Sequence, residues 1–301
     1  MTIASEFAID ALRPSTGHPD VWLYYGDVPQ RLANPVERNS YYEESSSQIL
    51  FKYEGETHAR MLVRNDNHVV VQHDSTLAHS WIQGFLLSSG FASLLHKQEV
   101  LPLHGSAVQT PRGSVIFVGN SGDGKSTLAA ALQQQGYVAL ADDLAVIRFD
   151  GENRPILYPG VQWFKLWQRS LDMLQHDAAQ MDEIDWEPSK FFCPMQTHLQ
   201  NVPTYATDSC HPLHAIYVLD PQPNATVSIV PLTGMEKLKL IRRHVYKTHP
   251  SQIDRNADKI FRLAHQIAQQ TQISWLRRPL TGNSLPKMLT LLEQAWGQSS
   301  I

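Results

Sequence analysis

Residues 114–143 constrain this chain more than any other segment. They begin with the apolar run 114–118, continue as the loop 119–127, which reads Gly-Asn-Ser-Gly-Asp-Gly-Lys-Ser-Thr, and reach Gly136 through a run rich in Ala, Leu and Gln. The apolar, β-branched run predicts a buried strand, and the run that ends at a glycine predicts a helix. The loop fits G-x-x-x-x-G-K-[ST], whose backbone N–H groups cradle phosphates while the lysine reaches the β- and γ-phosphates. The sequence therefore predicts a strand, a phosphate-binding loop and a helix.

The loop supplies the candidate nucleotide ligands. They are Gly119, Asn120, Ser121, Gly122, Asp123, Gly124, Lys125, Ser126 and Thr127. In this motif the Ser or Thr hydroxyl that follows the lysine binds magnesium. Ser126 is therefore a candidate magnesium ligand, and Lys125 is a candidate catalytic residue.

Two adjacent carboxylates follow the predicted helix. Residues 137–141 predict a second buried strand, which ends in Asp142 and Asp143. An α/β sheet places its chemistry beyond the carboxyl ends of its strands. Successive strand residues face opposite ways, so we expect the two carboxylates to have different roles. Asp142 is the candidate magnesium ligand, and the other carboxylate is expected to face an acceptor hydroxyl. Which of the two acts as the base stays open, and the alternative is that the pair forms a solvated turn.

Composition excludes several classes of protein. Apolar residues make up 42% of the chain and charged residues 18%, as in ordinary globular proteins. The formal charge of −4 gives no reason to expect a nucleic-acid partner. Two cysteines are too few for a disulfide framework, the N-terminus does not resemble a signal peptide, and the longest apolar stretch, residues 81–95, is too short to span a membrane. We therefore expect a cytoplasmic protein without a membrane partner.

The chain divides into two predicted domains, residues 1–100 and 101–301. In the first, the β-rich runs 21–25, 48–53, 59–63 and 68–72 predict a small antiparallel sheet. Residues 77–97 then predict a packing helix with a broad apolar face. The second domain holds the loop and alternating strand and helix patterns, which predict an α/β fold.

The order of His104-Gly105, the loop, the helix and residues 141–143 resembles the C-terminal kinase domain of HPr kinase/phosphorylase, a bacterial protein-serine kinase. The chain is more similar to the HPr-kinase-like proteins. These share Leu-Pro-Leu before His104, a Tyr-Pro-Gly bend at residues 158–160 followed by Lys-Leu-Trp at 165–167, and a Pro-Leu-X-Ala-Ile-Tyr-Val-Leu strand ending at Leu219. Some accompany peptide-modifying gene clusters, including lasso-peptide clusters, where they phosphorylate a serine of the precursor peptide.

The resemblance implies both a fold and roles for residues. The fold is an α/β P-loop nucleotide-binding kinase domain with a small N-terminal α/β lobe. Lys125 would hold the β- and γ-phosphates, and one of Asp142 and Asp143 would take the acceptor proton. His104 would orient that base.

Arg243 is the last candidate catalytic residue. It lies, with Arg242 and His244, where HPr-kinase-like proteins bring basic residues toward the phosphates. An arginine there would stabilise charge in the transition state. The alternative is a solvated helix face.

One departure from the family limits the implied acceptor. HPr kinases carry Leu-Glu-Ile-Arg-Gly where this chain has Leu-Tyr-Pro-Gly at residues 157–160, so the acidic residue of that signature is absent. Whether the chain has a phosphorylase activity, and whether HPr itself is the acceptor, therefore stay open.

The resulting hypothesis is a serine kinase that uses ATP and Mg²⁺ and acts on a peptide or protein. Two alternatives stay open. The first is a nucleotide-binding switch that transfers phosphate to water alone, and the second is a kinase of a small molecule. The donor, whether ATP, GTP or pyrophosphate, is also open. HPr kinases are hexameric, which leaves a homo-oligomer open.

Overall fold

The computed structural model describes residues 2–9, 12, 16–54, 58–65, 67–77, 79–184, 189–195, 210–247 and 255–297. The chain divides into two compact units, Met1–Gln98 and Glu99–Ile301. Each unit has its own sheets and its own buried residues.

The first unit contains a seven-stranded sheet in the order β1-β2-β7-β6-β5-β4-β3. Its strands are β1 (Ile3–Ser5), β2 (Val21–Tyr25), β3 (Glu37–Arg38), β4 (Tyr42–Glu44), β5 (Gln48–Glu54), β6 (His58–Arg64) and β7 (His68–His73). The four predicted strands are confirmed as β2, β5, β6 and β7. The prediction of an antiparallel sheet is wrong at one side, because β2 pairs with β7 in parallel and β1 pairs with β2 in parallel. These pairings join segments far apart in the chain, so no local turn signals them.

The predicted helix over residues 77–97 is interrupted. It consists of α1 (His79–Phe85), a π-helical turn (Leu86–Gly90) and α2 (Phe91–Leu95), and residue 78 lies outside the described residues. A Cβ on Gly90 would lie 2.8 Å from Met61 Sδ on β6. The helical segment therefore lies so close to β6 at Gly90 that a side chain there would clash with Met61.

A buried carboxylate connects β3, β4 and β5 at one end of the strand order. Glu43 on β4 is fully buried and accepts hydrogen bonds from Leu32 N at 2.7 Å and Lys52 Nζ at 3.1 Å, and Arg38 Nε lies 3.2 Å away. Burial opposes ionisation of Glu43, but the Leu32 N–H and the Lys52 and Arg38 charges outweigh it and lower its pKa. The charge of Glu43 thus stabilises the folded unit.

The second unit holds a nine-stranded and a three-stranded sheet. The strands are β8 (Leu101–Leu103), β9 (Gly105–Thr110), β10 (Gly113–Val118), β11 (Val138–Ala141), β12 (Ala145–Phe149), β13 (Pro155–Tyr158), β14 (Trp163–Trp167), β15 (Asp182–Glu183), β16 (Lys190–Pro194), β17 (His211–Gln222), β18 (Ser228–Pro231) and β19 (Gln272–Pro279). The large sheet runs β11-β9-β10-β17-β13-β12-β8, with β19 also on β17 and β18 on β19. The small sheet runs β14-β16-β15.

Helices cover both faces of the large sheet. They are α3 (Lys125–Gln134), α4 (Gln168–Leu174), α5 (Gly234–Arg243), α6 (Ala257–Gln270) and α7 (Leu285–Trp296). Alternate residues of β10 are buried on opposite faces: Val115 and Phe117 pack with α3 and α7, whereas Ile116 and Val118 pack with α5 and α6. The predicted α/β layering of this domain therefore describes its core. Within the described ranges, no helix has both the length and the apolar character needed to cross a bilayer.

β11 does not pair directly with β10. Strand β9 lies between them and is antiparallel to both. Strands β9 and β10 form a hairpin. Strands β10 and β11 consequently run in the same direction, so both carboxyl ends reach the same edge of the sheet.

Candidate active site

The loop between β10 and α3 depends on its glycines. Gly122 and Gly124 have φ values of 84° and 98°, in the left-handed region that glycine adopts without strain. A Cβ on Gly119 would lie 3.0 Å from Asp123 Oδ2 and 3.2 Å from Leu219 Cβ. The motif's glycines are therefore required by the shape of the loop.

Lys125 lies inside the loop. Its side chain is buried, and Nζ donates hydrogen bonds to Gly119 O at 3.1 Å and Asn120 O at 2.9 Å. Burial lowers its pKa, and the nearby charges of Asp142 and Asp143 act in the opposite direction. The ammonium is thus held by carbonyl groups of the loop, in a position from which it can exchange them for an anion.

Three further contacts hold the loop. Asp123 Oδ2 accepts a hydrogen bond from Asn120 N at 2.5 Å. Arg278, at the end of β19, donates to Asp123 O at 2.9 Å, and Arg243, at the end of α5, donates to Asn120 Oδ1 at 3.3 Å. The fold therefore brings Arg243 to the loop, as its predicted role requires. Sequence reasoning missed Arg278.

The two aspartates follow a bulge and a tight turn. In the β11–β9 pairing, Ala139 faces Val108 and Ala141 faces Ala107, so one residue of β11 is extra, and such bulges re-aim side chains. Asp143 has φ 66°, and the residue after it donates its N–H to Asp142 O at 2.8 Å. An i→i+2 hydrogen bond around a left-handed residue is a strained γ-turn. The carboxylates therefore diverge because of this turn, whereas the sequence argument relied on strand alternation.

Asp142 points into the interior. It is 1% exposed, and it accepts hydrogen bonds from Ser106 Oγ at 2.5 Å, Lys165 N at 2.8 Å and the Ser126 side chain. Burial raises its pKa, and the Ser106 and Lys165 hydrogen bonds oppose that rise. The alternative of a solvated turn is wrong for Asp142. The two predicted magnesium ligands, Ser126 and Asp142, lie in contact.

Asp143 points elsewhere and is partly exposed. Lys165 Nζ lies 2.9 Å from its Oδ2, and His104 Nδ1 lies 3.1 Å from its Oδ1 and 3.1 Å from its main-chain oxygen. Burial opposes ionisation of Asp143, but the charges and hydrogen bonds of Lys165 and His104 outweigh it and hold its pKa well below the usual range. The structure thus brings His104 into contact with Asp143.

Sequence reasoning missed two residues that contact the aspartates, Ser106 and Lys165. Ser106 lies on β9, two residues after His104, and Lys165 lies on β14 within a run shared with the HPr-kinase-like proteins. The contact of Ser106 with Asp142 follows from the β9–β11 pairing, which no local sequence pattern predicts. Lys165 lies within the residues on which the resemblance is based, but the resemblance implies no role for it.

The donor set fits a magnesium ion that arrives with a nucleotide. Among the residues that the structure describes, no group of three or more His, Cys, Asp or Glu side chains lies together as a cage for a metal. Mg²⁺ usually keeps several waters and is bound by one or two carboxylates plus substrate phosphates. The hydroxyl of Ser126 and the carboxylate of Asp142, side by side at the loop, match that pattern.

No protein-family model matches the chain, and no curated protein matches it. Among solved structures, the Hpr(Ser) kinase/phosphatase from Coxiella burnetii is similar to this chain. The likeness covers 64% of this chain and 95% of that one, with 12% sequence identity and a TM-score of 0.33. At this level of similarity, the chemistry has to be inferred from the geometry of the site.

Proposed function

We propose that this protein is a phosphotransferase that uses ATP and Mg²⁺ and phosphorylates a serine hydroxyl of a peptide or protein. One observation carries the proposal: beside the glycine loop, two adjacent carboxylates occupy separate environments. A switch that only hydrolyses nucleotide needs one magnesium carboxylate and a group that positions water. A second carboxylate, oriented by a histidine, matches the need of a kinase for a group near the acceptor hydroxyl.

The residues of the loop would bind the donor. Lys125 would exchange the carbonyls of Gly119 and Asn120 for the β- and γ-phosphates, and Ser126 and Asp142 would hold the magnesium. Bound magnesium would neutralise charge that develops on the phosphate oxygens. Arg243, already at the loop, would add positive charge at its other side.

Asp143 would serve the acceptor. In the transfer, the serine oxygen forms a bond to the γ-phosphorus, the bond from that phosphorus to the bridging oxygen breaks, and the hydroxyl proton leaves. Asp143 is held ionised and oriented by His104, so it would accept a hydrogen bond from the hydroxyl and then its proton. A weakly basic carboxylate suffices, because in a loose transition state the proton departs late and positioning contributes most.

The test compares the aspartates singly. Asp142→Asn should weaken magnesium-dependent nucleotide binding, whereas Asp143→Asn should retain binding and lose transfer. Calorimetric titration with Mg-ATP and transfer of radiolabelled γ-phosphate to serine peptides measure the two effects. Asp258→Asn, on the exposed side of α6, is the matched control.

Three outcomes would contradict the proposal. If the parent hydrolyses nucleotide and labels no peptide or protein, the switch alternative is correct, and labelling of small hydroxyl compounds alone would favour the small-molecule kinase. Identical behaviour of both Asn variants and the parent would remove the carboxylates from the mechanism.

A further inference from the structure

Lys165 contacts both aspartates through different groups. Its main-chain N–H donates to Asp142 Oδ2 at 2.8 Å, and its Nζ lies 2.9 Å from Asp143 Oδ2. The side chain is 15% exposed, so the ion pair is largely shielded from water. Because both contacts come from one residue, the positions of the two carboxylates are linked.

We infer, on the basis of the proposed function, that Lys165 is a positioning residue that keeps the adjacent carboxylates in separate tasks. Its N–H fixes Asp142 beside Ser126, and its ammonium fixes Asp143 beside His104. Lys165 acts on the acceptor through Asp143.

The strain at Asp143 explains why such a partner is needed. A non-glycine residue in the left-handed region is strained and persists only where the surroundings determine it. Two groups provide that determination here: His104 contacts one carboxylate oxygen and the main-chain oxygen, and Lys165 contacts the other carboxylate oxygen. Without the ammonium, repulsion from Asp142 would act on a carboxylate held at only one oxygen.

The two contacts of Lys165 can be separated by experiment, because β14 holds its main chain in place. All five residues of β14 pair with β16, and the neighbours Phe164 and Leu166 are each 1% exposed. The main chain at residue 165 is therefore held by the sheet and by the core. A change of the side chain removes the contact with Asp143 and leaves the N–H contact with Asp142 in place.

The first experiment is Lys165→Met. We expect affinity for Mg-ATP to stay at the parental value while kcat falls by about a hundredfold, the effect of displacing a reacting group by about 1 Å. Lys165→Arg should recover part of kcat, because it restores a positive charge at the same place. The matched control is Lys287→Met, which removes an exposed lysine from α7. It should leave kcat unchanged.

The second experiment is a double-mutant cycle with Asp143→Asn. If Lys165 acts through Asp143, the double variant should lose no more kcat than Asp143→Asn alone, since coupled residues are not additive. The same cycle is measured with Lys165→Arg. If the methionine variant does not fold, the arginine variant still tests the inference.

Several results would overturn the inference. These are parental kcat in Lys165→Met, additive losses in the cycle, or a joint loss of nucleotide affinity, kcat and melting temperature, which would indicate a structural role alone. A parent that transfers phosphate to no acceptor would instead refute the proposed function, and the inference with it. A parent that transfers while Lys165→Met does so equally well refutes only the inference.

Discussion

Ser106→Ala tests how strongly the sheet supports the proposed magnesium carboxylate. Ser106 is fully buried on β9, and its Oγ donates to Asp142 Oδ1 at 2.5 Å. Alanine fits the strand and removes one donor from a buried carboxylate. Hydrogen bonds to charged groups contribute about 1.5–3 kcal/mol, so we expect the free energy of unfolding to fall by about 2 kcal/mol. In a unit of this size that corresponds to a decrease in Tm of about 4–8 °C.

The same substitution should weaken magnesium-dependent nucleotide binding. Partners that orient a metal-binding side chain typically contribute about 10–100-fold in metal affinity. Ser114→Ala is the matched control, because Ser114 is also fully buried, lies on the neighbouring strand β10, and donates to the neutral Pro212 O at 3.0 Å. Its loss should destabilise the fold by about 0.5–1.5 kcal/mol and leave nucleotide affinity unchanged.

Thermal unfolding and calorimetric titration of Mg-ATP, run on the parent and both serine variants, measure these effects. The titration is repeated in EDTA to separate magnesium-dependent from magnesium-independent binding. Parental affinity in Ser106→Ala would refute the assignment of Asp142 to the magnesium. An equal loss of affinity in Ser114→Ala would show that any buried serine of this sheet has the same effect.

Three further predictions concern other parts of the chain. Glu43→Gln should destabilise the first unit at pH 7, because the folded-state pKa of Glu43 is lowered and its stabilising effect is fully present above the unfolded pKa of about 4.3. That effect is lost as pH falls through the folded-state pKa, so the urea midpoints of variant and parent should converge as the pH is lowered below about 4.3, and a pH-independent difference would contradict this. Arg243→Glu should lower turnover by about a hundredfold or more if it stabilises the transition state, with Arg242→Glu as control, and a change within about twofold would favour a solvated helix face. Gly105→Ala would place a Cβ 2.6 Å from a backbone oxygen of β10 and should cost about 1–3 kcal/mol in urea unfolding, whereas Gly151→Ala, with open space around it, should be nearly neutral.

Local patterns in the sequence were sufficient to predict the strands and the helix around the loop. The apolar run 114–118 became β10, the helix stops before Gly136, and the run 137–141 became β11, each within two residues of the prediction. These elements are set by neighbours in the chain: side-chain period, glycine conformation and the loop motif. The structure also brings Arg243 to the predicted loop and His104 to Asp143. The roles of these residues stay predictions.

The parts that could not be predicted depend on pairing between distant segments. The place of β9 between β10 and β11 brings Ser106 to Asp142, and the pairing of β14 with β16 holds Lys165 next to both aspartates. No residue pattern within these strands specifies which strand lies beside which. The γ-turn at Asp143 is also invisible in sequence, because aspartate is only an occasional occupant of the left-handed region.

The central place of β9 couples binding to local unfolding. Opening this strand would break its pairing with β10 and β11, remove Ser106 from Asp142 and displace the segment that begins at His104. A ligand that requires those contacts stabilises the closed state by RT ln(1 + [L]/Kd). Slow amide exchange should therefore extend from the loop across β9 to β11 when Mg-ATP is added. The small sheet's outer strand β15, which pairs with β16 alone among the described strands, should exchange as before.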